Sequence, residues 1–569
     1  MKALYKFKIE ILLATLITLS SCSLLDVDPD YVINPDTFYE SETEVLYGLT
    51  GIYGIINSQE FYGNYYSQML SNVDDLSYYA RVQNTSATYW YNHTASDTYI
   101  YQVWTKLYSG INNANEFMEA IVKTDLDEDG KYFAEAQFLR AYYHFILAQA
   151  WGDIPLRSEA VESATNAEIA ATAQVDVLLW CAEEMKSALE VFDQATVDVA
   201  PYRVTRSAIQ GILARVYMFL AGESVDGVND KIYMWEQAAL YSKAVITSGL
   251  HRLNPSYSQV FINMIMDIYD TTYYESIWEA DFMGNRDAGS WSNGRIGDVI
   301  GLVSSSSESN YTEWACNYAY GFYNGSLKLW DLYWQTDRTS SENADETLIT
   351  DARQNWNLPE YNYSGYTGSA YGFADYVKSM EKSPYAYSSE ITFNNPSIAG
   401  GQRNCGKYRR EVEYEGVMDS KTLWTSINYP ILRYSDILLM YAEAVNEVSE
   451  SYIMEAYNSV KEVRDRAGID TPDASEYSSQ ASMRTLIRNE RGRELAFESL
   501  RKYDLIRWGT LVTSMKGLSS WVNDDRWVKN TTAEYAWATS NNVQQKHEVL
   551  PIPTIELGVN KLLKQNSMW

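Results

Sequence analysis

A mainly α-helical protein is predicted, a tetratricopeptide-like scaffold of helix hairpins carrying long aromatic-rich loops and minor β-structure. Three observations carry that prediction. Apolar residues recur at three- and four-residue steps through both ends of the chain. Two pairs of such segments are joined at repeat-like spacing. Between the pairs lies Asp267 to Tyr429, rich in Gly, Ser, Asn, Tyr and Trp and without sustained period.

In chain order, Thr37 to Ile56 reads as the first amphipathic helix, with Phe38, Val45, Leu49, Ile52 and Ile56 on one side. Gly48, Gly51 and Gly54 fall one turn apart and predict a close-packing face. Trp104, Leu107, Tyr108, Ile111, Ala114, Phe117 and Ile121 line the next helix. The turn Asp125 to Gly130 imitates a calcium loop, but its twelfth position is Ala136 and the bidentate carboxylate is missing, so a solvated turn is expected. Tyr132 to Trp151 is apolar nearly all round, as a central helix is, and His144 within it reads as a core histidine.

The first hairpin pairs 205–221 with 234–248, so that Gly211, Ala214 and Tyr217 face Ala238, Tyr241 and Val245. The second pairs 433–447 with 453–467. A stack of such hairpins is stiff and offers a concave surface. A charged helix follows from Arg488 to Gly509, with Glu490, Glu494 and Glu498 one turn apart. Glu494 and Glu498 fall within two turns of Arg501 on roughly one side. Unpaired charges are too costly to bury, so these residues are expected to pair, chiefly with neighbouring helices.

A net charge of −30 excludes a phosphate-backbone partner and adsorption to anionic lipid, and leaves neutral ligands or proteins. Four histidines lie far apart, no CxxC or HExxH is present, and no metal or cofactor is expected. Lys2, Lys6 and Lys8, the short apolar run Ile11 to Leu19 and Leu19-Ser20-Ser21-Cys22 read as a signal peptide ending in a lipobox. Cys22 is then the lipidated residue, and lipid is the sole membrane attachment. That leaves Cys181, Cys316 and Cys405, enough for at most one disulfide.

Several stretches share one resemblance. They are the lipobox with its acidic tether, Phe138 to Tyr143 followed by Gly152-Asp153-Ile154-Pro155-Leu156, and Asn458…Arg464…Arg466-Ala467-Gly468. Glu490-Arg491, Glu494 to Glu498, Arg501, Asp504 to Gly509 and Pro551-Ile552-Pro553…Glu556…Asn560…Gln565-Asn566 complete the set. Together they resemble the SusD/RagB family of nutrient-capturing lipoproteins on the outer membrane of Bacteroidetes-type bacteria. The closing Ser567-Met568-Trp569 departs from the usual family ending. The resemblance implies a cell-surface protein that binds glycan and works over a SusC-like TonB-dependent transporter, with helix hairpins toward the transporter. The chain is expected to divide into five regions: a signal peptide over 1–21, a tether over 22–36, helical regions over 37–266 and 431–569, and a loop-rich ligand-binding region over 267–430.

Two windows hold the candidate site. Tyr78 to Tyr101 carries seven aromatics and Tyr311 to Trp334 nine, where the overall 14% would place three or four. A sugar ring has an apolar C–H face that an indole or phenol matches, while Asp, Asn and Arg take its hydroxyls. In starch-binding family members such loops form an aromatic arc, which points to Asp74, Asp75, Arg81, Trp90, Trp291, Trp314, Tyr320, Tyr323 and Trp330 as ligand contacts. The other readings are peptide or glycopeptide capture, as in RagB-like relatives, and a surface glycosidase using Asp74-Asp75, Glu275…Glu279…Asp281 or Asp331…Asp337. No GxSxG or Walker loop is present, and a non-enzyme is expected.

Overall fold

Helix starts are set by local side-chain caps. In the computed structural model, which describes residues 39–81, 87–161, 168–192, 200–283, 294–303, 319–334, 351–359, 403–410, 424–521 and 533–569, helix α1 spans Glu42–Tyr53 and begins at Ser41, whose hydroxyl accepts from Glu44 N. Helix α2 (Thr98–Ile121) is capped by Asp97, which accepts from Tyr99 and Ile100 N. Such caps each contribute roughly 1 kcal/mol. The calcium-like turn is another cap. Asp127 accepts from the amides of Tyr132 and Phe133 at 3.0 and 2.8 Å and opens α3 (Lys131–Trp151).

Helix α3 is buried along its whole length from Ala134 onward and packs between α2 and α4 (Gln174–Val191). His144 lies inside it as expected: Nδ1 meets Arg140 O, and Nε2 accepts from Arg157 N at 3.1 Å. Burial pushes its pKa down to about 3, so the ring is neutral.

The first predicted hairpin is α5 (Arg206–Ala221) with α6 (Lys231–Ser248). Helix α7 (Tyr257–Ile265) leads away from it. The second is α10 (Tyr434–Val448) with α11 (Ile453–Arg466). α6 packs on α10, so the two hairpins join into one layer. Tyr217 and Tyr241 stack across the first hairpin at 5.8 Å. Gly211, however, faces away from α6: a Cβ there would lie 2.3 Å from Leu432 Cδ2 and 2.8 Å from Ile437 Cδ1. Only Gly48 of the α1 trio is a close approach, against Tyr39 and Phe117, and Gly51 has open space around it. Spacing alone does not say which turn of a helix meets a neighbour.

Short strands tie the loop-rich middle to the regions on either side of it. β1 (Ser77–Tyr79) pairs antiparallel with β3 (Tyr323–Gly325), with Tyr78 opposite Asn324 and Tyr79 opposite Tyr323. β2 (Ser276–Ala280) pairs antiparallel with β4 (Tyr429–Arg433). Helices α8 (Leu327–Trp334) and α9 (Ala352–Asn357) complete this part. One continuous hydrophobic cluster runs from Val45 to Leu563, so these regions share a core.

The charged stretch forms two helices, α12 (Gln480–Leu495) and α13 (Arg501–Arg507), not one. Ala496, with ψ of 138°, ends the first helix, and Phe497 and Ser499 beyond it adopt positive φ and turn the chain. The expected alignment of Glu494 and Glu498 with Arg501 is therefore lost. Arg433 bonds Glu494, Glu498 and Glu275 at 2.9–3.0 Å. Arg353 bonds Glu490 and Asp351, and Arg464 bonds Glu490. A neighbouring set joins Arg491 to Asp436 and Asp504, and Arg507 to Glu443. The charges pair with other elements, as their burial requires. Burial alone would raise Glu490, but Arg353, Arg493 and Arg464 outweigh it and hold the carboxyl down to about 2.

Among the described residues, Cys181 and Cys405 are free and buried; Cys22 and Cys316 lie outside them. No helix of the described residues is long and apolar enough to cross a membrane. Helices α14 (Leu511–Gly517), α15 (Ala533–Asn542) and α16 (Thr554–Val559) close the chain.

Candidate glycan-binding platform

The two aromatic windows meet through β1 and β3. Ala80 N donates to Phe322 O at 2.7 Å and extends the pairing one residue beyond the strands. Arg81 then emerges across from Tyr320 and Phe322, whose rings stack at 4.9 Å. Its guanidinium lies over both, 5.1 and 4.6 Å from the ring centroids. All three side chains are partly exposed. The strand bends between the two rings at Gly321, with φ of 54°. A Cβ there would lie 2.7 Å from Val303 N, so the bend admits only glycine. Asp298 fixes the bend, accepting from Tyr320 N at 3.2 Å and pairing with Arg295.

Trp90 forms the second part of the platform. A short 3₁₀ turn, Ala87–Trp90, holds it half-buried against Tyr535 of α15, rings nearly parallel at 6.5 Å. Asn542 Nδ2 donates to Trp90 O at 2.9 Å and ties turn to helix. Trp90 Nε1 is turned inward, buried, and has no hydrogen-bond partner among the described residues. Beneath, Tyr79 and Tyr89 stack at 3.9 Å and form a rigid floor.

Four other predicted contacts lie in the interior. Asp74 Oδ1 accepts from the amides of Leu76 and Ser77 at 2.7 and 3.0 Å and shapes the entry to β1. Burial, then the Asp75 charge, push its carboxyl up to about 7. Asp75 is clamped by Arg501 at 2.8 and 3.0 Å and by Lys328. Burial opposes its charge, but Arg501 and Lys328 hold it down to about 2. Tyr323 is sealed beneath the platform and donates to Gln68 O. Trp330 is 8% exposed and covered by the Arg403 guanidinium at 3.9 Å. These four side chains serve the frame. The sequence could not separate them from Arg81 and Tyr320, because polar and aromatic types suit both a core pair and a ligand contact. Trp291 and Trp314 lie outside the described residues.

Of the proposed carboxylate pairs, Asp74-Asp75 is thus committed to protein groups, and Glu275 is bound by Arg433 and Arg466. Burial raises Glu279 and Asp281 to about 7 and about 6. Tyr535 was not foreseen: it stands far from both windows, and no spacing ties it to Trp90.

A family model described as "SusD family" matches residues 274–569, more than half of the chain. The chain belongs to the SusD family. A second model, described as "Starch-binding associating with outer membrane", matches residues 23–218 of this SusD-like chain. It is 24% identical to SusD-like protein P25 of Formosa agariphila over 561 residues, covering 96% of this chain and 95% of that one. The fold matches a SusD homolog from Bacteroides thetaiotaomicron with a TM-score of 0.77 at 23% identity, over 95% of this chain and 99% of that one. It also matches surface glycan-binding protein A from Bacteroides thetaiotaomicron in complex with laminarihexaose, with a TM-score of 0.64 at 17% identity, over 92% and 99% of the two chains.

Proposed function

We propose that this SusD-family chain is a lipid-anchored protein of the bacterial surface that captures oligosaccharide without cleaving it and passes it to a SusC-like TonB-dependent transporter. The observation that carries the reading is Arg81 laid over Tyr320 and Phe322 at a partly open edge. Such a set supplies a flat apolar face and a fork of donors, the two things a sugar ring needs. Trp90 and Tyr535, both partly exposed, extend the face. The laminarihexaose complex of a protein with this fold supports glycan as the ligand class.

The anchor is Cys22. The transporter-facing side is the hairpin layer, where Ile232, Tyr233, Leu240, Tyr452 and Met454 are exposed. Exposed apolar residues on one layer fit a protein contact.

The test is native electrophoresis through gels holding laminarin, starch or xylan, with reducing ends assayed in parallel. Retardation by at least one polysaccharide without new reducing ends is expected, and Arg81→Ala with Tyr320→Ala weakens it. New reducing ends would replace capture with glycoside hydrolysis. Retardation by none, with binding of casein peptides, would replace glycan with peptide. Purification from the native membrane is expected to bring a barrel partner along.

A further inference from the structure

A second concavity lies away from the platform, between α2, the segment after α3, and α16. It encloses about 760 Å³, within the range of roughly 300–1,000 Å³ common for ligand sites. The partly exposed ring of Tyr108 of α2 lies at its base, backed by the buried Trp104 4.9 Å away and tilted by 50°. Arg157 and Glu556 line its sides. None of the lining residues belongs to the platform.

The walls formed by α2, Arg157 and α16 are tied to their neighbours. Tyr108 Oη donates to Pro155 O at 2.8 Å. Arg157 N donates to buried His144. Thr554 N donates to Ala95 O at 2.8 Å, and Asn560 Nδ2 to Ile169 O at 2.7 Å, which seat α16. Half-burial raises the Glu556 carboxyl, which the Trp104 indole and Arg157 partly offset. A preformed site loses less entropy on binding.

The chemistry of the lining is specific. The Tyr108 ring offers aromatic carbon at the base, and the exposed Thr105, Ser109 and Asn113 carry hydroxyls and an amide along α2. Charges of both signs are present, so neither a phosphate nor a cation is favoured. Mixed donors and acceptors over an apolar floor match a polyhydroxylated ring.

We propose that this groove is a second saccharide site, which holds a short neutral stretch of glycan independently of the platform. A chain engaged at two sites is retained longer than at either alone.

The test uses the full mature chain titrated with maltohexaose, cellohexaose, laminarihexaose and xylohexaose, and with tryptic casein peptides. At least one hexaose is expected to occupy two sites. Arg81→Ala removes one of them. Ser109→Trp, at an exposed position, fills the groove and weakens the other by at least about tenfold. Asn113→Ala weakens it by about threefold or more without adding bulk and serves if the tryptophan variant does not fold. Binding of one hexaose per chain, lost with Arg81→Ala and indifferent to both groove variants, overturns the groove and leaves the platform standing. A groove that takes peptides and no hexaose overturns the ligand class. Absence of binding by every hexaose overturns both sites.

Discussion

The network around α12 and the platform around Arg81 are made of the same residue types, yet they do opposite things. In the network, Arg433 and Arg353 are fully buried, each held by carboxylates and bonded on several atoms. At the platform, Arg81 lies over two rings and stays partly exposed. A buried charge must be fully committed to partners, so it has nothing left for a ligand. A half-exposed cation over rings keeps donors in reserve. Access, more than residue type, separates frame from site.

The largest effect that sharpens this contrast is loss of a buried cation. Arg433→Met leaves Glu275, Glu494 and Glu498 short of a shared partner. It is expected to cost about 3–5 kcal/mol of folding stability. Arg81→Ala is expected to cost less than about 1 kcal/mol. Urea unfolding midpoints of the two variants decide the matter. Equal shifts would sink the distinction.

The network also sets the pH response. Glu490 and Asp75 have folded pKa values near 2, below those of the unfolded chain. Their contribution is present above the unfolded value and is lost as pH falls from about 4.5 toward 2. Asp74 and Glu279 are raised to about 7, so their contribution is full below about 4 and lost as pH rises through 7. His144 and His547, lowered to about 3, work the other way: they favour folding above about 6.5 and lose that contribution as pH falls toward 3. The raised carboxylates and lowered histidines oppose each other between pH 4.5 and 6.5. A melting-temperature profile that is shallow there and steep below about 4.5 is expected. Asp74→Asn, which keeps an oxygen for the Leu76 and Ser77 amides, gains on the parent protein between pH 5 and 8. A constant difference across that range would show that Asp74 stays ionised.

Much of the frame was legible because burial imposes period. The hairpins 205–221 with 234–248 and 433–447 with 453–467 appear close to their expected bounds. The turn at 125–130 was legible from its run of acidic residues ending in Gly130, whereas the cap that Asp127 gives α3 was not. The break after Leu495 was not, since a bulky residue such as Phe497 at positive φ is rare and carries no sequence mark. At the site, composition marked the two windows. It could not show that strand pairing would bury Tyr323 and leave Tyr320 partly exposed three residues earlier. Nor could it bring Tyr535 to Trp90, a contact made only by tertiary packing.

A middling effect tests the platform's separate parts. Tyr320→Ala removes one ring of the stacked pair beneath Arg81. Glycan affinity is expected to fall by about 1–3 kcal/mol, with the unfolding midpoint nearly unchanged. Tyr323→Ala gives the reverse order: stability falls by about 3–5 kcal/mol for a buried aromatic, and affinity changes only through the displaced β1–β3 pairing. Calorimetric titration beside thermal melting separates the two. If Tyr320→Ala melts the protein as Tyr323→Ala does, the platform is simply an extension of the core.

The smallest effect repeats the contrast at single atoms. Gly51 and Gly211 both lie inside helices, and sequence spacing cast both as close-packing residues. Around Gly51 a Cβ would meet nothing within 4 Å. Alanine there stiffens the unfolded chain and favours the helix, so Gly51→Ala is expected to stabilise by about 0.5–1 kcal/mol. At Gly211 the same methyl would strike the side-chain ends of Leu432 and Ile437, which are buried and would have to repack. Gly211→Ala is therefore expected to destabilise by about 1–3 kcal/mol, as overpacked cores do. Opposite signs in the two melting curves are the outcome to look for. The same sign in both would mean that α5 has slack against β4, and the hairpin layer would then be too loose to hold Arg433 among its three carboxylates.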